Sequence, residues 1–216
     1  MTDRSEAELA HADRQFTEGW LAEHDALETA RRRAAEIGAV PISPAGGAAL
    51  RFLAASVRAR AVVEIGTGAG ISGSWLISGM EPDGILTSID TEGEHQRVAR
   101  ATFADVGIPA NRVRLINGRA LEVLPRLTDG AYDLVFCDAA ASEALGYLAE
   151  AMRLLRPGGI VVFDDALWHH QVATPAARDP ETLAVRELLK VIREDERLVP
   201  VLLPVGDGLL AAVRTD

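Results

Sequence analysis

Residues Ala61 to Ser72 read Ala-Val-Val-Glu-Ile-Gly-Thr-Gly-Ala-Gly-Ile-Ser, a short apolar run that ends in three alternating glycines. Ala61 to Ile65 are mostly β-branched and apolar, the pattern of a parallel strand covered on both faces. Gly66, Gly68 and Gly70 permit a tight turn, and a helix is expected to follow with its N-terminal amides facing whatever the loop wraps. Ser72 adds a hydroxyl donor suited to a carboxylate or phosphate at that positive end. A second apolar strand, Ile85 to Ile89, closes on Asp90, about 20 residues beyond the loop, where an acid accepts hydrogen bonds from a ribose diol. Strand, glycine loop, helix, strand and terminal carboxylate point together to an adenosine-containing ligand.

The glycine spacing discriminates among such ligands. Gly68-Ala-Gly-Ile-Ser-Gly73 matches G-x-G-x-x-G, but two residues past the strand end, and Glu64 would set an acid beside a diphosphate. An acid suits a ligand with a cationic amino group. The stretch from Glu64 to Ser72 resembles the first motif of S-adenosylmethionine-dependent methyltransferases.

Composition bounds the alternatives. A chain of 216 residues is expected to form one domain, 1–216, with an N-terminal helical region at 1–58 and a cofactor-binding α/β core at 59–216. Its 48% apolar and 25% charged content is that of a soluble globular protein, and no secretory or anchoring segment is read at the N-terminus, so a cytoplasmic location is expected. The formal charge of −10 argues against nucleic acid or an anionic membrane as partner, because both are bound by neutralising phosphates. Arg31-Arg-Arg33 reads as a solvated face or an ion-pair partner. Cys137, the sole cysteine, excludes an intrachain disulfide and a cysteine metal site. Of the 22 basic residues, Lys190 is the one lysine.

Ser5-Glu-Ala-Glu8 has the form of a capping box, opening an interrupted helical region to about Ile37. Leu9, Phe16, Trp20, Leu21 and Leu27 recur there at helical spacing, which predicts packing on the core or on a partner subunit. Gly38 to Pro44 breaks the helix and leads into another that reaches about Val57, with Val40 to Ser43 placed to cover the ligand. Strands are expected at 61–65, 85–89, 112–116, 132–137, 159–163, 198–203 and 208–213, and helices near 71–79, 92–106, 119–127, 142–155 and 180–194. The alternation predicts an α/β fold, a doubly wound seven-stranded and mainly parallel sheet. Pro204 to Gly208 is too short for a crossover, so the last two strands are expected to form an antiparallel hairpin.

Ligands of such sheets lie at the carboxyl ends of the strands. There Asn117-Gly118-Arg119-Ala120 offers a small residue with a free amide for an adenine edge, and Arg119 as either an ion pair or a ligand contact. The fourth strand ends at Asp138 and the fifth at Asp164-Asp165, so three carboxylates converge. Oxygen-only donors suit Mg²⁺ or Ca²⁺, although a single Asp there more often caps a helix or loop amide.

From about Ile37 onward the chain resembles the O-methyltransferases of the catechol and caffeoyl-coenzyme A type, in particular their small bacterial members. The motifs are Glu64-Ile-Gly-Thr-Gly-Ala-Gly70, Ser88-Ile-Asp90, Gly118-Arg-Ala120, Tyr132-Asp-Leu-Val-Phe-Cys-Asp138, Leu155-Arg-Pro-Gly-Gly159, Asp164-Asp-Ala-Leu-Trp168 and Pro204-Val-Gly-Asp-Gly-Leu209. The resemblance implies a Rossmann-like methyltransferase fold, S-adenosyl-L-methionine as cofactor, a homodimer, and methyl transfer to one hydroxyl of a catechol-like small molecule assisted by a divalent metal. It assigns the cofactor to Val40, Glu64, Gly66, Thr67, Gly68, Gly70, Ser72, Asp90, Gly118, Ala120 and Asp138. The metal falls to Asp138, Asp164 and Asp165.

Two positions depart from the family pattern. The lysine expected three residues after Asp138 is Ala141, and the neutral residue expected after Asp164 is Asp165. With that lysine absent, Asp138, His169 and His170 are the candidate catalytic groups near neutral pH, against exposed loop histidines as the alternative. Trp168 is expected as a wall of the acceptor pocket or as packing, and Gln171 to Asp179 as a lid or specificity loop. A metal-independent methyltransferase, a non-catalytic adenosyl-ligand-binding protein and a nicotinamide enzyme are the rival readings.

Overall fold

The computed structural model describes residues 6–216. Three helices lead in: α1 (Glu6–Gly19), α2 (Asp25–Glu36) and α3 (Pro44–Ser56). Then β1 (Ala61–Ile65), α4 (Ile71–Gly79), β2 (Ile85–Asp90), α5 (Gly93–Val106), β3 (Val113–Asn117), α6 (Ala120–Val123), β4 (Tyr132–Cys137), α7 (Ala144–Leu154), β5 (Leu155–Phe163), α8 (Pro180–Glu194), β6 (Leu198–Leu203) and β7 (Leu209–Arg214) follow. Ser5, in the expected capping box, lies outside the described residues.

The seven strands form one sheet in the order β3-β2-β1-β4-β5-β7-β6. Strands β1 to β5 pair in parallel, whereas β7 runs antiparallel to both β5 and β6. Strand order reverses between β1 and β4, so the crevice beyond their carboxyl ends is the expected ligand position. The hairpin closes with Leu203 opposite Leu209.

Alternate residues of each central strand enter different cores. Val62, Leu86, Leu134 and Ile160 pack under α2 to α5, while Val63, Val135 and Val161 pack under α6 to α8. Each fully buried aliphatic side chain stabilises the fold by roughly 1.5–3 kcal/mol, which is why continuous apolar runs become central strands rather than edges. Against the first core, α3 and α4 approach closely: a Cβ on Gly47 would come within 2.3 Å of Trp75, so glycine is required there.

Three elements differ from expectation by more than one residue. Strand β5 begins at Leu155, four residues early, because Pro157-Gly158-Gly159 does not break it; Gly158 takes φ +77° and the β4 register shifts between Tyr132 and Leu134. The helix expected at 119–127 shortens to α6 and a 3₁₀ turn, Leu124–Arg126, where Pro125 removes an amide. The one expected from 142 opens with a 3₁₀ turn, Ala141–Glu143, before α7.

The N-terminal apolar set divides. Leu27 is buried in the first core, whereas Phe16 and Trp20 are 72% and 68% exposed and Leu9 and Leu21 are also exposed. Packing on the chain's own core is thus corrected for those four. The arginine run is an ion-pair cluster at two of its members: Arg31 pairs with Glu23 and Arg33 with Asp105.

Candidate functional site

The glycine loop is shaped by a close backbone approach. Gly66 takes φ +96°, its amide donates to the Ile89 carbonyl at 2.9 Å, and a Cβ at this position would sit 1.9 Å from the Asp138 carbonyl oxygen. The Asp138 amide in turn donates to the Ile65 carbonyl at 2.8 Å. The ends of β1, β2 and β4 are thereby stitched together directly under the crevice. Gly70 plays a different part from the one expected: it caps α4 in the left-handed region, a Cβ there would press on Ala99 at 3.0 Å, and it lines neither of the cavities at this edge.

A cavity of about 350 Å³ opens above the loop. Val40, Pro41 and Ile42 cover one side, Gly66 to Ala69 and Ser72 form the floor, and Asp90, His95, Asp138 and Asp165 complete it. Val40 is 88% exposed, as befits a covering segment. Adjoining it, a second cavity of about 250 Å³ is lined by Gly66, Asp90, Gly118, Arg119, Ala120 and Tyr147, among others. Asp90 belongs to both. Its Oδ1 accepts from the Glu92 amide at 2.8 Å, and its Oδ2 accepts from the Gly68 amide at 3.0 Å and lies 3.2 Å from His95 Nδ1. Arg119 is an ion pair and a lining residue at once: it donates to Glu143 at 2.7 Å, and Glu143 also accepts from the Tyr147 hydroxyl.

Glu64 is fully buried and does not line the cavity. Its Oε1 accepts from Ser72 Oγ at 2.7 Å and its Oε2 from Ser88 Oγ at 2.5 Å, with Thr67 Oγ1 2.7 Å from Ser88 Oγ. Burial pushes the Glu64 carboxyl up to about 7, against the two hydroxyl donors that favour its charged form, and the Asp90 charge raises it further. The expectation that Ser72 offers its proton to the ligand is corrected here, since that proton goes to Glu64.

Beyond Asp138 lies a small cavity of about 30 Å³ that Asp138, Asp164, Asp165, Ala141 and Trp168 share. Asp138 and Asp165 line both this pocket and the larger cavity, so the two spaces meet at these carboxylates. Burial, then the neighbouring Asp164 and Asp165 charges, hold the Asp138 carboxyl well above the ordinary range. Burial and the Asp165 charge push Asp164 up to about 7, and burial with the Asp207 charge raises Asp165. The donor set and its excess negative charge fit a hard divalent cation. Among the described residues no three His, Cys, Asp or Glu side chains are grouped so that they could hold one ion.

His169 and His170 are exposed and line none of these spaces. The His169 amide donates to Asp207 at 2.6 Å and its Nδ1 lies 3.1 Å from the same carboxylate, turning the ring to the β6–β7 hairpin. Cys137 is buried, and its thiol pKa is raised by that burial. Sequence reasoning missed His95, Tyr147, Glu143 and Asp207. His95 alone left a local signal, in the first turn of the helix that follows Asp90.

The cavity combines a glycine loop at the switch point, an acid at the end of β2 and an acidic wall, and among the described residues no lysine or arginine lines it. The comparisons agree with a nucleoside ligand of that kind. A family model described as O-methyltransferase matches residues 18–215. A relative in Mycobacterium tuberculosis, described as a probable O-methyltransferase, is 53% identical over 211 residues, 98% of this chain and 92% of the relative. Among solved structures, a Corynebacterium glutamicum protein superposes with a TM-score of 0.89 at 32% identity, over 96% of this chain and 98% of that one. The O-methyltransferase TomG of Streptomyces achromogenes, in complex with S-adenosylmethionine, gives 0.87 at 29% identity over 99% and 100% of the two chains. The chain belongs to the S-adenosylmethionine-dependent O-methyltransferase family.

Proposed function

We propose that this enzyme transfers the methyl group of S-adenosylmethionine to a hydroxyl of a small catechol-like aromatic acceptor, with Asp138, Asp164 and Asp165 holding a divalent cation, Mg²⁺ or Ca²⁺. The observation that carries the reading is the acidic, arginine-free cavity at the β1/β4 switch point, which meets the small carboxylate pocket at Asp138 and Asp165. A sulfonium and an ammonium are both favoured by such a wall, whereas a pyrophosphate is repelled. Asp90 accepts from the ribose, with Gly66, Thr67 and Gly68 beneath it. Gly118 and Ala120 frame the adenine, Val40 covers the amino-acid end, and Ser72 and Asp138 bind there.

When bound, the cation supplies Lewis acidity that lowers the pKa of an acceptor hydroxyl. The chain's own residues do the rest. Asp138 and Asp165, shared by the two spaces, set acceptor oxygen and cofactor methyl side by side, and such positioning is a large share of methyl-transfer catalysis. Trp168 walls the acceptor side. A homodimer through the exposed apolar residues of α1, among them Phe16, and a cytoplasmic location complete the reading; no helix among the described residues is long and apolar enough to cross a membrane. A metal-independent enzyme is the second reading, favoured by the absence of three metal-binding side chains around one point among the described residues.

Calorimetric titration of Mg²⁺, then Ca²⁺, into protein saturated with S-adenosylhomocysteine separates the two. Saturable binding that disappears in Asp138→Ala supports the metal-assisted reaction. No heat from either ion rejects it and leaves the metal-independent one.

A further inference from the structure

The first helix is tied to the body of the chain by a carboxylate. Among the described side chains of α1 none is buried, and its apolar residues Leu9 and Phe16 stand exposed. Burial of an apolar face is what fixes most helices, so α1 belongs to the less stable end of this fold. Its polar attachment is Glu18. Oε1 accepts from Ser43 Oγ at 3.0 Å, and Oε2 accepts from the Ala45 amide at 2.9 Å, in the first turn of α3 where amides lack helical partners. The positive end of the α3 dipole favours a carboxylate at that place.

Ser43 closes the segment that covers the cofactor cavity, whose residues Gly38 to Ile42 line it. Three elements meet on this one serine. Its hydroxyl gives its proton to Glu18 of α1, accepts from the Gly46 amide of α3 at 3.1 Å, and lies where a Cβ on Gly206 of the β6–β7 turn would approach to 3.0 Å. Ile42 seats its side chain in the first core, whereas Val40 stays exposed, so the cover depends on its ends. Neither Glu18 nor Ser43 lines the cavity.

We propose that α1 is a clasp on the cofactor cavity: through Glu18 it fixes Ser43, and with it the covering segment, over the bound cofactor, and its release opens the way for spent cofactor to leave. The inference rests on the S-adenosylmethionine reading above. Glu18 is a positioning residue, acting on the ligand only through Ser43 and Ala45. Covers of this kind set the rate of product release in many enzymes. An element attached by two hydrogen bonds rather than by a core can part from the body without unfolding it. The coupling is reciprocal: a clasp that slows escape of the cofactor is itself held shut by the cofactor.

Stopped-flow displacement of S-adenosylhomocysteine tests one direction, and limited trypsin cleavage after Arg14, exposed on α1, tests the other. Glu18→Ala is expected to raise the dissociation rate about fivefold or more, the effect of losing charge-assisted hydrogen bonds at a partly exposed site. Glu18→Gln, which keeps one acceptor oxygen, should fall between it and wild type. Saturating S-adenosylhomocysteine should slow cleavage after Arg14 about threefold or more in wild type and leave it unchanged in Glu18→Ala. A wild-type dissociation rate in Glu18→Ala, even with a lowered melting temperature, would make Glu18 a structural prop and overturn the inference. Cleavage of wild type that ignores the nucleoside overturns it too. Because α1 also carries the proposed dimer surface, light scattering accompanies the rates, and a faster dissociation found only with a changed molar mass places the effect in the interface and overturns the clasp. Should Glu18→Ala fail to fold, Glu18→Gln must dissociate at least about twofold faster than wild type, and a wild-type rate there overturns it. Wild-type protein that binds no S-adenosylhomocysteine refutes instead the cofactor reading on which this rests.

Discussion

The Cα of Gly66 lies so close to the carbonyl of Asp138 that a Cβ on residue 66 would stand 1.9 Å from that oxygen, a backbone contact that no side chain can relieve. The left-handed φ of +96° adds a second barrier to any other residue. Gly66→Ala is expected to cost at least about 3 kcal/mol, through backbone displacement and strain combined. Thermal unfolding measures the loss, and a melting temperature unchanged from wild type would contradict the contact.

The buried Glu64 predicts an unusual pH response. Its carboxyl is pushed up to about 7 in the folded protein, above its ordinary value of 4.5. Between these values the folded state binds more protons than the unfolded one, so this group's contribution to stability falls as pH rises from about 4.5 to about 7. Such a shift corresponds to about 3 kcal/mol. Denaturant unfolding at pH 5 and pH 7.5 should show Glu64→Gln narrowing the difference between the two conditions relative to wild type. An identical pH dependence in both proteins would refute the assignment.

Asp90 is shared by the two cavities and accepts from the Gly68 and Glu92 amides. Both S-adenosylhomocysteine and 5′-methylthioadenosine contain the ribose that it is proposed to meet. Asp90→Ala should therefore weaken both by a similar factor, about 10- to 100-fold for a charged hydrogen-bond acceptor. A selective loss of one nucleoside would place Asp90 elsewhere in the site.

Arg186 of α8 donates to four carbonyls of the preceding segment, those of Gln171, Val172, Thr174 and Ala177, at 2.6 to 3.1 Å. The segment after Trp168 is thus clamped from α8, and Asp207 holds its other end through His169. Arg186→Ala is expected to speed limited proteolysis within 171–177 by about tenfold or more, since each charged hydrogen bond contributes roughly 1.5–3 kcal/mol. Cofactor affinity should stay as in wild type. Cleavage at the wild-type rate would mean that the clamp does not hold the segment.

Much of this was legible from residue order alone. The strand-glycine-helix unit at Ala61 to Ser72, the seven strands, the closing hairpin and the convergence of Asp138, Asp164 and Asp165 all follow from apolar periodicity and turn chemistry, which act over a few residues. Where a local rule misled, a longer-range contact had overridden it: β5 runs through Gly158 and Gly159 because β4 pairs with it on both sides of them, Tyr132 with Leu155 and Leu134 with Ile160. Local pattern placed Phe16 and Trp20 on an apolar helix face, yet both side chains stand exposed.

The sequence by itself determined the family, the sheet and the set of acidic groups at its reactive edge, because each is encoded in contiguous motifs. Tertiary structure alone decided what those groups face. Glu64 lies behind Ser72 rather than in the cavity, His169 turns to Asp207 rather than to the carboxylate pocket, and His95 joins Asp90 at the cavity rim. The physical reason is that a hydrogen-bond partner is chosen by side-chain direction and packing between segments, and residues 64 and 88, or 169 and 207, meet only once the sheet has brought their strands and turns together.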